Sequence, residues 1–426
     1  MAPELDRRTL LKSSAAATGS LALSSFAHGH GSEKIRIGLI GCGGRGTGAA
    51  GDCIEADPAV ELVAMGDLFA DRIESSKRGL AGRLENLGRS EAQKTTDETT
   101  FAGWDAYQKV IDSDVDIIVT ATPPAFRPMV FEAAIAAGKH VFMEKPVAVD
   151  PPGVRRVIAA AREAKAKNLS VVAGTQRRHQ KSYLETMQRI HEGAIGEVVA
   201  AQCWWNQGGL WVKKQEPNWS DMEWQVRNWL YFTWASGDHI VEQHIHNLDV
   251  VNWAMGGAPV KARGMGGRQS RTQSEYGNIF DHFAIEYEYA SGAIAHSYCR
   301  QINGCANRVA ERLVGTKGTS NPNGSISGEN EWKFGGGGKN PYVQEHIDLI
   351  ASIRGRDGLN EGERVAHSTL TAIMGRMSAY TGRELSWDEA LNSEFDLTPP
   401  AYAFGDLPVN PVAIPGEPQM IWGEPV

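Results

Sequence analysis

The sequence predicts an N-terminal α/β domain with a doubly wound parallel sheet, followed by an α+β domain with an open, largely antiparallel sheet. Three observations carry this prediction. An apolar strand runs into a glycine-rich turn at 34–46. Strand and helix patterns then alternate as far as residue 173. Between residues 261 and 314 the pattern changes to short alternating strands joined by turns.

The chain has 426 residues and is 42% hydrophobic, enough for two domains, or three, with full cores. Its net charge is -8 and its Lys and Arg are dispersed, which argues against nucleic acid as the main partner. No apolar run approaches the roughly 18 residues that a membrane span needs. Residues 1–27 read as a twin-arginine export signal. Asp6-Arg7-Arg8-Thr9-Leu10-Leu11-Lys12 precedes a mild Ala/Ser/Gly/Leu stretch, and Ser25-Phe26-Ala27 fits a small-x-small cleavage site. Asp6 stands where Ser or Thr is usual, and a frayed basic terminus is the alternative reading. The expectation is a periplasmic or otherwise exported protein. Of the five cysteines, Cys299 and Cys305 are near enough to pair across a turn in an oxidising compartment.

The first domain is expected over residues 33–176. Ile35 to Ile40 form a strand, and Gly41, Gly43 and Gly46 give the G-x-G-x-x-G spacing. Gly41 permits the tight turn. Gly43 lets a pyrophosphate approach the backbone, with Gly44 and Arg45 beside it, and Gly46 lets the following helix pack closely. The pyrophosphate sits on that helix's free N–H groups. A second strand, Val60 to Gly66, ends at Asp67, whose carboxylate is placed for a ribose 2′-hydroxyl. This is a Rossmann pattern, and Asp67 favours NAD over NADP. A charged helix is expected to about Leu80, then a polar excursion from Ala81 to Thr100, and a short helix from Trp104 to Ile111. Asp116 to Thr120 is a strand. The loop after it, Ala121-Thr122-Pro123-Pro124, falls at the carboxyl edge beside the ligand crevice. Phe126 to Ala137 is a helix. The strand His140 to Met143 delivers Glu144-Lys145-Pro146. Pro151 to Ala166 is helical, and Leu169 to Ala173 is a strand followed by Gly174-Thr175-Gln176-Arg177-Arg178-His179.

The glycine turn, Ala121-Thr122-Pro123-Pro124, Glu144-Lys145-Pro146, Gly174-Thr175-Gln176-Arg177-Arg178 and a later helix with His246 and Asp249 together resemble the glucose–fructose oxidoreductase / inositol dehydrogenase family. The similarity covers the chain from Lys34 to about Arg383. It implies a Rossmann domain followed by an open mixed sheet carrying a sugar site, with NAD(P) as cofactor. Most members oxidise or reduce a ring alcohol on a sugar or cyclitol, and some relatives use bound NAD to cleave glycosidic bonds. In the family a carboxylate and a histidine four residues apart serve the substrate alcohol. Here these match Glu242 and His246, with Glu in place of the usual Asp.

The second domain is expected over residues 177–388, with helices at Tyr183–His191, Tyr342–Ile353 and Glu363–Ala379. Seven tryptophans fall within 31 residues, from Trp204 to Trp234. One or two, Trp205 among them, are expected at a sugar, and the rest in an irregular packed insertion. Gly335 to Gly338 form a flexible loop expected near the site. Glu242, His246 and Asp249 share one helix face, and His239 shares a face with His246. His244 lies two residues before His246 and diverges from it, so no metal site is expected. The strands at 261–266, 279–289, 293–300 and 308–314 form a sheet with one face under helices and the other free for a partner subunit. A Pro-rich extended tail occupies 389–426.

Hydride transfer from an alcohol needs a base and a group that steadies the alkoxide. Lys145 and His246 are the candidates, with His246 titrating near neutrality as the base. Glu242 orients His246 or binds a neighbouring hydroxyl. The cofactor contacts are Gly41, Gly43, Gly44, Arg45, Gly46, Asp67, Thr122, Pro123, Glu144 and Lys145. Arg177, Arg178, His179, His239 and Trp205 are the substrate contacts. The expected activity is NAD-dependent oxidation of a sugar, glycoside or cyclitol by a homodimer or homotetramer. The alternatives are an NAD-dependent glycoside hydrolase with resident cofactor and a non-catalytic carbohydrate-binding protein.

Overall fold

Strands whose two faces are both apolar must be covered on both faces, and the first sheet meets that requirement. A computed structural model describes residues 34–425, so the expected signal segment lies outside the described residues. The first domain runs β1 (Ile35–Ile40), α1 (Gly44–Ala56), β2 (Val60–Asp67), α2 (Ala70–Asn86), β3 (Thr100–Ala102), α3 (Ala106–Ile111), β4 (Ile117–Thr120), α4 (Arg127–Ala136), β5 (His140–Met143), α5 (Pro151–Ala166) and β6 (Val171–Ala173). The sheet is parallel throughout, in the order β3-β2-β1-β4-β5-β6. Ile37, Leu39, Ile117, Val119 and Phe142 face α1 and α2. Ile40, Ile118, Val141 and Met143 face the other way, towards α4 and α5. The sequence placed these elements well but missed β3. Helix α2 continues beyond Leu80 to Asn86, and the expected polar excursion ends in this short edge strand.

The second domain continues with α6 (Lys181–His191), β7 (Val198–Gln207), α7 (Asp221–Arg227), α8 (Thr233–Ser236), α9 (His239–Glu242), α10 (Ile245–Met255), β8 (Lys261–Gly267), β9 (His282–Glu288), β10 (Ile294–Gln301), β11 (Arg308–Gly315), β12 (Gly318–Asn321), β13 (Ser325–Gly328) and β14 (Trp332–Lys333). Then come α11 (Pro341–Gly355), α12 (Gly362–Thr381), β15 (Leu385–Ser386), α13 (Trp387–Asn392) and a terminal pair, β16 (Met420–Ile421) and β17 (Glu424–Pro425). Nine strands pair in the order β14-β13-β12-β11-β7-β10-β9-β8-β15, antiparallel except for β7 and β10. Phe283, Ile285, Tyr287, Ala295 and Leu313 point inward at α10 and α12. The opposite face carries the row Met265, Ala284, Tyr298, Trp204 and Ala310, one residue from each of five strands. Met265 on this row is 71% exposed.

One option open in the sequence is not taken up, and one expectation is corrected. All five cysteines are free, because Cys299 is buried on β10 while Cys305 is exposed. The helix carrying Glu242 and His246 is broken at Gln243–His244, so the two lie on successive helices, α9 and α10. The tail wraps its own chain: Leu397 N–H donates to Asp150 at 2.9 Å, and Phe395, Leu397 and Leu407 join a core with Phe126, Trp224 and Trp234. Helix α11 packs on α1 of the first domain, burying Leu349 and Ile350 there.

Helix α12 lies close on β9 because Gly375 passes directly over the Tyr287 hydroxyl, which donates to the Thr371 carbonyl at 3.0 Å. A Cβ at residue 375 would fall on that oxygen. Gly375→Ala is therefore expected to cost about 1–3 kcal/mol through overpacking, read as a lowered thermal midpoint.

Candidate active site

The turn after β1 is built as a dinucleotide cradle. Gly41 has φ of +91°, and a Cβ at Gly46 would strike the Gly41 carbonyl oxygen, so α1 can approach only as glycine. A Cβ at Gly43 or Gly44 would meet nothing within 4 Å, because both face open space. No side chain caps α1 and its first turn carries no acid, which leaves its N–H groups free for a pyrophosphate. That open space is a cavity of about 500 Å³. Gly41, Gly43, Gly44, Arg45, Asp67, Thr122 and Pro123, all named in the sequence analysis, line it. These residues fit NAD. Gly46 lies beneath the turn, and Glu144 is buried under Arg45, accepting from its Nε at 2.6 Å. The Asp67 carboxylate accepts from Cys42 N–H at 2.6 Å and Phe69 N–H at 2.9 Å, so it also holds the turn to the end of β2. Burial raises its pKa, and these two N–H bonds oppose the rise.

Beyond β5 the first sheet presents Lys145 to the second domain. Its Nζ donates to the Glu242 carbonyl at 2.6 Å and lies 3.3 Å from the Glu242 carboxylate. One turn of chain later, His246 stacks on Trp205, with ring centroids 5.7 Å apart and planes at 21°. No protein group among the described residues bonds to either ring nitrogen of His246. Burial, then the charges of Lys145, Arg177 and Arg45, hold the imidazole pKa well below its usual value. His246 is thus neutral, and the expectation that it titrates near neutrality is corrected. Arg177 pairs with the buried Glu311 and lies 5.8 Å from the Trp205 ring. Lys145, Glu242, His246, Trp205 and Arg177 form one cluster.

Three expected contacts lie elsewhere. Arg178 grips Asp249 at 2.7 and 3.0 Å and stacks on Trp253. His179 is buried between Asp348, at 2.6 Å, and Glu361. Burial would lower its pKa, but the Asp348 hydrogen bond and the nearby Glu361 carboxylate win and raise it to about 10. His239 bonds to Asp238 at 2.8 Å and packs on Phe283 in the core. Among the described residues no His/Cys/Asp/Glu group could hold a metal ion.

Sequence reasoning missed the side chains that fix Trp205. Its indole N–H donates to Gln207 at 2.9 Å, and Gln207 and Gln301 both donate to Gln243, at 2.8 and 2.9 Å. It also missed Tyr342, which lies under the Arg45 guanidinium at 4.8 Å. An inward-facing acid on a strand, Glu311, was the one available signal for the Arg177 pair.

Two family models match the chain. One, an oxidoreductase family with an NAD-binding Rossmann fold, matches residues 35–172, and the other, the GFO/IDH/MocA C-terminal domain, matches residues 183–321. The cofactor of the first domain is therefore NAD. An inositol 2-dehydrogenase of Rubrobacter xylanophilus is 27% identical over 68% of this chain and 71% of its own. A 2,7-anhydro-N-acetylneuraminate hydratase of Escherichia coli is 30% identical over 42% and 44%. Several other curated relatives are matched along about half of their length. The fold is also that of the scyllo-inositol dehydrogenase of Lactobacillus casei, solved with NAD(H) and scyllo-inositol. The TM-score is 0.62 at 18% identity, over 84% of this chain and 100% of that one.

The buried histidines set a pH dependence. His244, lowered to about 3 by burial first, joins His246 and His346, both held well below their usual value by burial. An unfolded histidine takes a proton near pH 6.5 while these native ones do not, so stability falls as pH drops below about 6.5. His179 runs the opposite way. Its contribution is complete below about pH 6.5 and is lost as pH rises through about 10. Five lowered histidines, counting the half-buried His140 and His367, face His179 and the buried Glu345 carboxyl, which burial raises well above its usual value, and a net loss in acid remains. Urea titrations should show lower stability at about pH 5.5 than at about pH 7.5, and His246→Gln should shrink the difference.

Proposed function

Because the chain belongs to the GFO/IDH/MocA oxidoreductase family, we propose that it uses NAD to oxidise a ring secondary alcohol of a sugar, glycoside or cyclitol. One observation carries this reading. Lys145 from the first sheet meets Glu242, His246 and Trp205 from the second domain, just past the loop that lines the dinucleotide cavity.

Bound NAD supplies the hydride acceptor at its nicotinamide. The protein's own groups do the rest. Lys145 directs one N–H at the Glu242 carbonyl and another at its carboxylate, leaving a third for the substrate hydroxyl oxygen. Its positive charge steadies the alkoxide as it develops. Neutral His246 accepts the hydroxyl proton. Its low proton affinity eases the return of that proton when a carbonyl is reduced. Trp205, held by Gln207, offers a flat face to the C–H surface of a ring. Arg177 is neutralised by Glu311, and Lys145 is paired with Glu242, which suits an uncharged polyol.

A hydrolase that oxidises and re-reduces a glycoside on resident NAD is the second reading. The reversibility at His246 favours it, and so does export through a twin-arginine signal, which we also propose. A purely carbohydrate-binding role leaves the free donor of Lys145 and the unbonded His246 ring without a purpose. Lys145→Met and His246→Gln should each lower turnover about 10²–10⁴-fold, the range for a positioned proton-transfer group. NAD affinity by calorimetry should stay nearly unchanged. A screen of cyclitols, aldoses and glycosides separates the readings: net NADH marks the dehydrogenase, and aglycone release without net NADH marks the hydrolase.

We propose further that a second copy covers the open face of the large sheet, giving a homodimer or homotetramer. On this row Met265 and Tyr298 are exposed beside the buried Trp204, and this supports the proposal. Light scattering should report a dimer or tetramer, and Met265→Asp with Tyr298→Asp should shift it to monomer.

A further inference from the structure

We infer that residues 211–229 strap the dinucleotide in place, so that it leaves the site only slowly. The inference rests on the NAD site described above. The cavity has two walls. One is the glycine turn with Asp67. The other belongs to the second domain and consists of Trp211, Val212, Lys213, Val226, Arg227 and Trp229. A dinucleotide in this cavity is covered on the side where a one-domain site would open to solvent.

The strap is fastened to itself. Lys213 N–H donates to the Asn228 side chain at 2.8 Å, and the Trp224 indole N–H donates to the Lys213 carbonyl at 2.8 Å. Trp211 meets Trp229 edge-on at 6.2 Å. Helix α7 within it is capped by Ser220, which accepts from Glu223 N–H at 3.2 Å.

It is also latched to the first domain. Arg227 donates to both oxygens of Asp71 on α2, at 3.0 and 3.2 Å, and its guanidinium lies 3.8 Å over the Phe69 ring. Arg227 is 12% exposed while Asp71 is 60% exposed, so only the guanidinium half of this bidentate pair is shielded from water. The tail holds the strap from outside: Met222 N–H donates to Gly405 at 3.1 Å and Gln225 donates to Leu407 at 2.6 Å. Phe404 stacks on Phe69 at 6.0 Å. For a dinucleotide to leave past this wall the strap must lift, and the Arg227–Asp71 latch and tail contacts must open with it.

The full-length protein, purified without added nucleotide, should keep bound NAD through gel filtration. Bound NADH chased with excess NAD should then leave slowly, followed by loss of its emission. Asp71→Asn removes the latch at a largely exposed carboxylate and should speed release about 2–5-fold, the range for an ion pair open to water on one side. Trp229→Ala should act in the same direction. Loss of nucleotide on gel filtration overturns the proposal, and so does a release rate unchanged in both variants. Failure of NAD and NADH to bind at any concentration would overturn the oxidoreductase reading itself, and the strap with it.

Discussion

The two sheets are tied together at Asp249, a carboxylate that cannot be buried alone. Arg178, just past β6, reaches it at 2.7 Å; Arg364 and Ser368, from α12, reach it at 3.1 and 2.7 Å. Burial alone would raise its pKa, but the two arginines outweigh burial and hold it well below the carboxylate range. Removing one partner of such a group typically costs about 3–5 kcal/mol, because the other is left charged and dry. Three segments distant in sequence are thereby fixed in one arrangement. His246 sits one turn earlier on the same helix as Asp249, so the network that joins the sheets also fixes the ring in the cleft. Arg178 is itself held in this network, between Asp249 and the Trp253 ring.

Most of the first domain was legible because its signals are local. Ile37 to Ile40 and Val141 to Met143 are continuous apolar runs, and Gly41 and Gly46 have conformations or contacts that only glycine allows. The missed β3 has three residues and no buried side chain, so no periodic pattern marked it. In the second domain the strands alternated clearly enough to be found. Their order, with β7 inserted between β10 and β11, is a matter of long-range pairing that local pattern does not encode.

The same limit explains the site. Lys145 is singled out by its strand end, Trp205 by the tryptophan-rich stretch, and Glu242 with His246 by the family resemblance and by a helical spacing that the break at Gln243–His244 interrupts. The partners that decide their chemistry were not legible. Glu311 pairs with Arg177 across 134 residues, and the Gln207–Gln243–Gln301 chain spans three elements. His179 and Arg178 looked like cleft residues because they follow a strand end. Asp249 on α10, Asp348 on α11 and Glu361 just before α12 draw them inward instead. The neutral state of His246 likewise comes from burial and from three cations on other segments.

The return of α11 to the first domain has a consequence for biosynthesis. The chain leaves that domain after β6 and comes back at residue 341, where Leu349 and Ile350 complete its apolar layer. The outer edge of β6 is then sealed by Leu359 and Glu361, which exchange backbone hydrogen bonds with Val171 at 2.7 and 3.0 Å. A nascent chain emerging from the ribosome has made all six parallel strands by residue 173, yet its domain remains unfinished. One sheet edge and part of one face stay bare until nearly two hundred further residues have been added. The dinucleotide fold of this protein is therefore not a detachable module. A gene fragment ending after β6 would encode an open edge, and exchange of this domain between relatives must carry residues 341–361 with it.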